Sequence, residues 1–100
     1  MKNFQVIGKS GAILKTDVTL HPGELLSMEI EVRGLKKTAF AALLQIRPSQ
    51  LSELLHGKRH VSAALALKLE HILGINAEYW MRLQVAYDIF VERQKAAAPA

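Results

Sequence analysis

The sequence predicts an all-α domain of five helices preceded by a short N-terminal extension, and three observations point to it. The chain has 100 residues, the size of one compact domain and too short for two independent cores. Half of the residues are hydrophobic and only 22% are charged, a balance that favours a packed core over disorder. From His21 onward, apolar residues recur at helical spacing between residues that start and stop helices.

Residues 1–18 differ from the rest. Phe4-Gln5-Val6-Ile7 and Ala12-Ile13-Leu14 flank Gly8-Lys9-Ser10-Gly11 in the pattern of a β-hairpin. A lone hairpin is marginal in water, so this extension is expected to be either loose or paired with something. Pro22 then suits a first helical position and Glu24 a first turn, and Leu25, Leu26, Met28 and Ile30 carry a helix that ends at Gly34. Lys37–Leu44 places Ala41 and Leu44 on one face, with Phe40 and Leu43 beside them. Pro48–Leu55 turns Leu51, Leu54 and Leu55 inward, and Gly57 closes it. Ser62 caps a fourth helix within Val61–Leu73, where Leu65, Leu69, Ile72 and Leu73 are helically spaced and Gly74 stops the run. Asn76 caps a longer helix from about Ala77 to Arg93, and the tail should fray. The expected organisation is an extension over 1–18, a helical domain over 19–94 and a frayed tail over 95–100.

Composition narrows the function classes. There is no cysteine, which excludes a disulfide framework, a thiolate zinc site and a cysteine nucleophile. Apolar runs are a few residues long against the ~20 needed to cross a bilayer, and no basic stretch followed by an apolar run opens the chain. The expectation is a soluble cytoplasmic protein without a membrane partner. His56 and His60 are four apart, but Gly57 should break the helix between them and no paired carboxylate accompanies them, so no metal is expected. No Ser/His/Asp set sits in a nucleophile-elbow context. Gly8-Lys9-Ser10-Gly11 lacks the upstream glycine and following helix of a phosphate loop. Neither an enzyme nor a cofactor is expected.

The net charge of +4 is concentrated in one place. Arg33, Lys36, Lys37, Arg47, Lys58 and Arg59 face Glu53 alone over residues 33–59, a net +5 in about a quarter of the chain. Such a block suits a polyanion partner, or a solubilising surface. The two short helices joined across Gln45-Ile46-Arg47 have the proportions of a helix-turn-helix. Ala41 is small where the helices cross, Ile46 fills the turn, and Leu51 anchors the second helix. Ser49, Gln50, Ser52, Glu53 and His56 are left facing outward. Arg47, Ser49, Gln50 and Glu53 are therefore candidates for base readout in a major groove. Gln50 can pair bidentately with adenine, Arg47 can reach guanine or a phosphate, and Glu53 can accept from a cytosine amino group. Lys36 and Lys37 before this unit, and Lys58 and Arg59 after it, are candidate clamps on DNA phosphates.

On the last helix, Trp80, Leu83, Tyr87 and Phe90 follow i, i+3, i+7, i+10, while Leu69, Leu73 and Ile75 already supply a core. The stripe could be plain core, some of which a domain of this size can absorb, but the seam left over is expected to form a homodimer surface, which two-fold operator half-sites also require.

Longer motifs carry a resemblance. They are His21-Pro22-Gly23-Glu24, Arg33-Gly34-Leu35, the run Leu51-Ser52-Glu53-Leu54-Leu55-His56-Gly57-Lys58-Arg59, and Asn76-Ala77-Glu78-Tyr79-Trp80-Met81-Arg82-Leu83-Gln84-Val85-Ala86-Tyr87-Asp88. From about Leu20 to Asp88 the chain resembles the HigA (VapI) branch of the Xre/Cro/C1 helix-turn-helix proteins, antitoxins of toxin–antitoxin modules. The resemblance implies a Cro/C1 (lambda-repressor-like) fold and a dimer on double-stranded operator DNA. It also implies repression of the chain's own operon and neutralisation of a cognate RelE-like, mRNA-cleaving toxin. The rivals are a stand-alone Xre-family transcriptional regulator and an interaction module whose basic face serves another purpose. Residues 1–18 lie outside the resemblance and are a candidate surface for pairing with the toxin by strand addition. Three positions depart from the family pattern. Lys36-Lys37 replace Ser-Gln, Gln45 stands where the turn usually has glycine, and Arg47 replaces a Ser or Thr cap. A left-handed backbone at Gln45 would cost about 1–2 kcal/mol.

Overall fold

In the computed structural model, which describes residues 19–97, the chain enters its first helix at Pro22, where a proline ring supplies the backbone angle a helix needs. The expected hairpin and the proposed toxin-pairing surface within 1–18 lie outside the described residues. Five helices follow: α1 Pro22–Val32, α2 Lys37–Leu44, α3 Pro48–Leu55, α4 Ala63–Leu73 and α5 Ala77–Ala97. The described residues contain no strand. Leu26, Ile30, Phe40, Ala41, Leu44, Leu51, Leu54, Val61, Ala66, Leu69, Leu73 and Trp80 form one core shared by all five helices.

The start of α1 is built by a residue that composition had marked only as one histidine among four. His21 is the N-cap, and its Nδ1 accepts the Gly23 N–H at 2.8 Å. The ring is buried and meets Tyr87 of α5 edge-on, with centroids 4.7 Å apart. Burial, more than the opposing pull of Glu24, holds the imidazole pKa below its ordinary value, which keeps Nδ1 free to accept. Gly23 lies against the carbonyl of Leu54, where α1 crosses the end of α3.

Two cations close helix ends from far away in the chain. Arg33 Nη2 donates to the Leu73 carbonyl at the end of α4 at 2.9 Å, and Lys68 Nζ donates to the Leu44 carbonyl at the end of α2 at 3.1 Å. Terminal carbonyls without helical partners are thereby satisfied. A third buried device is Gln84. Its Oε1 accepts the Val61 N–H at 2.7 Å and its Nε2 donates to Asp88 at 2.9 Å, fastening the loop before α4 to α5.

The turn between α2 and α3 takes the left-handed form at Gln45, with φ 61° and ψ 40°. The N–H groups of Gln45 and Ile46 donate to the carbonyls of Ala42 and Ala41, both at 3.0 Å, a C-terminal cap that usually carries glycine. Gln45→Gly should raise stability by about 1 kcal/mol, because relief of steric strain outweighs the added freedom of the unfolded chain. Urea unfolding checks the sign; a loss of stability would mean that the turn is unstrained.

Two expectations need correction. α5 runs on past Arg93, where the sequence placed its end, because Lys95, Ala96 and Ala97 continue it, alanine being the best helix former and Lys95 lying favourably in the last turn. Trp80 is not a surface residue. It is 0% exposed, lies in the core, and donates its indole N–H to the Ile75 carbonyl at 3.1 Å.

Candidate nucleic-acid interface

α3 is held from behind and open in front. Leu51 and Leu54 bury against α1 and α2, and this fixes the helix's rotation. Ser49, Ser52 and Glu53 then fall on the exposed face, at the i, i+3, i+4 spacing that puts side chains on one stripe. Arg47 is the N-cap residue and is exposed; with only donors on its side chain it cannot cap the helix as Ser or Thr would. Gln50 partly makes up for this. Its Oε1 accepts the Arg47 N–H at 2.9 Å, half of a capping box. Gln50 is also half-buried, so a bidentate pair with adenine requires its Oε1 to exchange the Arg47 amide for the base.

The predicted clamps are exposed on both sides of this unit. Lys36 is the N-cap of α2, and no side chain caps the first amides of that helix. Two lysines beside unsatisfied N–H groups make a favourable place for a phosphate oxygen. The family's Ser-Gln has thus been exchanged for positive charge at a helix start.

Beyond α3, Gly57 takes φ 76° and the Lys58 N–H returns to the Glu53 carbonyl at 2.8 Å, so Lys58 projects from a tied loop. Arg59 and Glu53 are brought together, with Nε and Nη2 of Arg59 3.2 and 3.1 Å from Glu53 Oε1. A predicted phosphate clamp and a predicted base reader therefore hold one another. Both side chains remain largely exposed, so the pair is weak and can be exchanged for DNA partners. His56 is tied back, its Nδ1 2.7 Å from the Ser52 carbonyl. His60 lies apart from it, beside Asp88 at 3.3 Å.

The residues of the predicted dimer seam are buried or half-buried in the single chain. Trp80 faces the core, and Tyr87 packs on His21. Leu83 and Phe90 are half-buried in the single chain. The more exposed apolar residues on the far half of α5 are Val85 at 51% and Ile89 at 44%, next to Leu67 of α4 at 58%. With Ala63, Met81 and Arg82 they line a largely apolar groove between α4 and α5. The i, i+3, i+7 line through Trp80 marks the inward face of α5, which also takes in Gln84, a buried polar residue that hydropathy patterning hides. Among the described residues no helix is long and apolar enough to cross a membrane.

Comparison with known proteins places this geometry. Residues 31–80 match the helix-turn-helix family. The chain is 36% identical over 76 residues to Virulence-associated protein I of Dichelobacter nodosus, covering 75% of this chain and 70% of that protein. The fold superposes with a TM-score of 0.67 and 30% identity on an addiction module antidote protein of the HigA family from Coxiella burnetii, covering 81% of this chain and 97% of that one. It also superposes, with a TM-score of 0.70 and 26% identity, on a Pseudomonas aeruginosa protein solved with its 28-bp operator DNA, covering 75% of this chain and 84% of that one.

Proposed function

This chain belongs to the helix-turn-helix family, and from that premise we propose that it is a dimeric, sequence-specific DNA-binding antitoxin. It occupies an operator upstream of its own operon and neutralises a RelE-like, mRNA-cleaving toxin. It works by binding alone, with no catalytic step and no cofactor. One observation carries the DNA half of this proposal: α3, with Leu51 and Leu54 fixing its rotation, exposes one face, and the exposed Lys36 and Lys37 precede this unit in the chain while the exposed Lys58 and Arg59 follow it. Bonds from the four cations to phosphates would set register, and residues from Arg47 to Glu53 would meet base edges. Likeness to the operator-bound Pseudomonas protein supports the same half, and likeness to the HigA-family antidote supports the antitoxin half.

Readout is tested at the start of α3. Arg47→Ala or Gln50→Ala should each cost about 1–3 kcal/mol on the selected operator while leaving non-specific binding nearly unchanged. Gln50→Ala also removes the bond to the Arg47 amide, so its folding stability should fall by about 1 kcal/mol, a loss measured separately by urea unfolding. If both variants select the same operator as the parent, specificity lies in DNA shape or in the N-terminal extension. The antitoxin half is tested by co-expression with the product of the neighbouring reading frame. A stable complex is expected, and its absence would leave a stand-alone regulator.

A further inference from the structure

A cleft of about 510 Å³ opens between the loop that follows α3 and the second half of α5. The one buried residue in its wall is His21, 3% exposed. Nδ1 of that ring accepts the Gly23 N–H, so the neutral imidazole carries its proton on Nε2. Among the described residues no oxygen or nitrogen accepts from Nε2, and the neighbouring Tyr87 ring is only a weak acceptor. A buried donor without an acceptor is costly, and an oxygen of a ligand in the cleft would remove that cost.

The surrounding charges set the sign of that ligand. Lys58, Arg59 and Lys95 line the cleft beside His60, against Asp88 and Glu92. Both acids already have partners: Asp88 accepts from Gln84 and lies 3.3 Å from His60, and Glu92 faces Lys95 at 3.4 Å. Lys58 has no carboxylate partner among the described residues, and the pairs made by Arg59 and Lys95 are exposed enough to exchange. Tyr87 and Val91 add an apolar wall that a bare inorganic ion would leave unused. The volume suits a ligand of metabolite size. We propose that this cleft binds a small organic carboxylate, one oxygen of which accepts from His21 Nε2, and that the ligand competes with DNA for Lys58 and Arg59. The site stands on the cleft alone, and the competition rests on the DNA reading proposed above.

Benzoate, its uncharged amide and inorganic phosphate are the probes, titrated into the full chain at constant ionic strength and followed by NMR. Benzoate should shift the His21 Nε2–H, Tyr87 and Val91 signals along one saturable curve with a Kd of about 1 mM, ordinary for so small a ligand. Benzamide, which lacks the charge, and phosphate, which lacks the apolar body, should each bind at least about fivefold more weakly. Lys95→Ala, an exposed change that leaves the predicted DNA clamps intact, should weaken benzoate about threefold or more. His21→Asn, which keeps a side-chain oxygen to cap α1 but removes Nε2, should weaken it further. Circular dichroism verifies that both variants fold. Saturating benzoate should lower the affinity for duplex DNA at least about threefold. No saturable shift, equal binding of benzamide, or a Lys95→Ala variant that binds benzoate as the parent does would overturn the site. Phosphate bound as tightly as benzoate would overturn the preference for an organic acid. DNA affinity untouched by saturating benzoate would overturn the competition, whereas a chain that binds no DNA with or without benzoate would overturn the DNA reading and leave the site standing.

Discussion

Gly23→Ala is expected to lower folding stability by about 3–4 kcal/mol, a large part of the margin of a domain of this size. A Cβ at this position would run into the Leu54 carbonyl oxygen, which belongs to the backbone of α3 and cannot swing aside as a side chain could. Relief requires α1 to slide off α3, which would also break the bond from the Gly23 N–H to His21 and part His21 from Tyr87. Gly34→Ala is the control. Gly34 has φ 66°, but a Cβ there would meet nothing within 4 Å, so only the conformational cost of about 1 kcal/mol applies. Urea unfolding of both variants separates collision from backbone preference. Equal losses would mean that α1 and α3 are not in close contact.

Removing the four clamps together, as Lys36, Lys37, Lys58 and Arg59 to Ala, should weaken binding to every DNA sequence by on the order of 100-fold or more near physiological salt. All four side chains are exposed, so the variant should fold normally. The slope of log K against log salt should flatten by about 0.9 for each phosphate that the variant no longer neutralises. The four are not equivalent. Arg59 must first leave Glu53, and its removal leaves that carboxylate unopposed near the DNA, whereas Lys58 has no carboxylate partner among the described residues. Arg59→Ala should therefore flatten the slope yet also add repulsion, and Glu53→Gln should strengthen non-specific binding. An unchanged slope in the fourfold variant would remove the clamp assignment.

Local chemistry made most of the helix boundaries legible. Pro22, Pro48, Ser62 and Asn76 start helices, and Gly57 and Gly74 close them, because caps and turns depend on a few adjacent residues. The exposed cations around α3 were legible for the same reason, since a helix with Leu51 and Leu54 inward has only one outward face. What stayed hidden depends on neighbours distant in sequence. Arg33 adds to the net charge of the basic block, yet its guanidinium serves the Leu73 carbonyl forty residues away. Spacing alone could not show that Trp80 fills the centre of the core, because the i, i+3, i+7 line of a dimer seam and of a buried face look alike until the other helices are in place. Gln84 gives no hydropathy signal, although its position four residues after Trp80 puts it on the inward face. The left-handed turn at Gln45 was indicated by family resemblance, since the residue itself does not favour that conformation.

The central claim is that two copies of α3 read a DNA sequence. Its most direct test is selection of binding sites from a pool of random duplexes by the wild-type chain. The expected result is an enriched pair of inverted half-sites about 10 base pairs apart, centre to centre, as two-fold related recognition helices in successive major grooves require. An unenriched pool, with all duplexes bound alike, would contradict it.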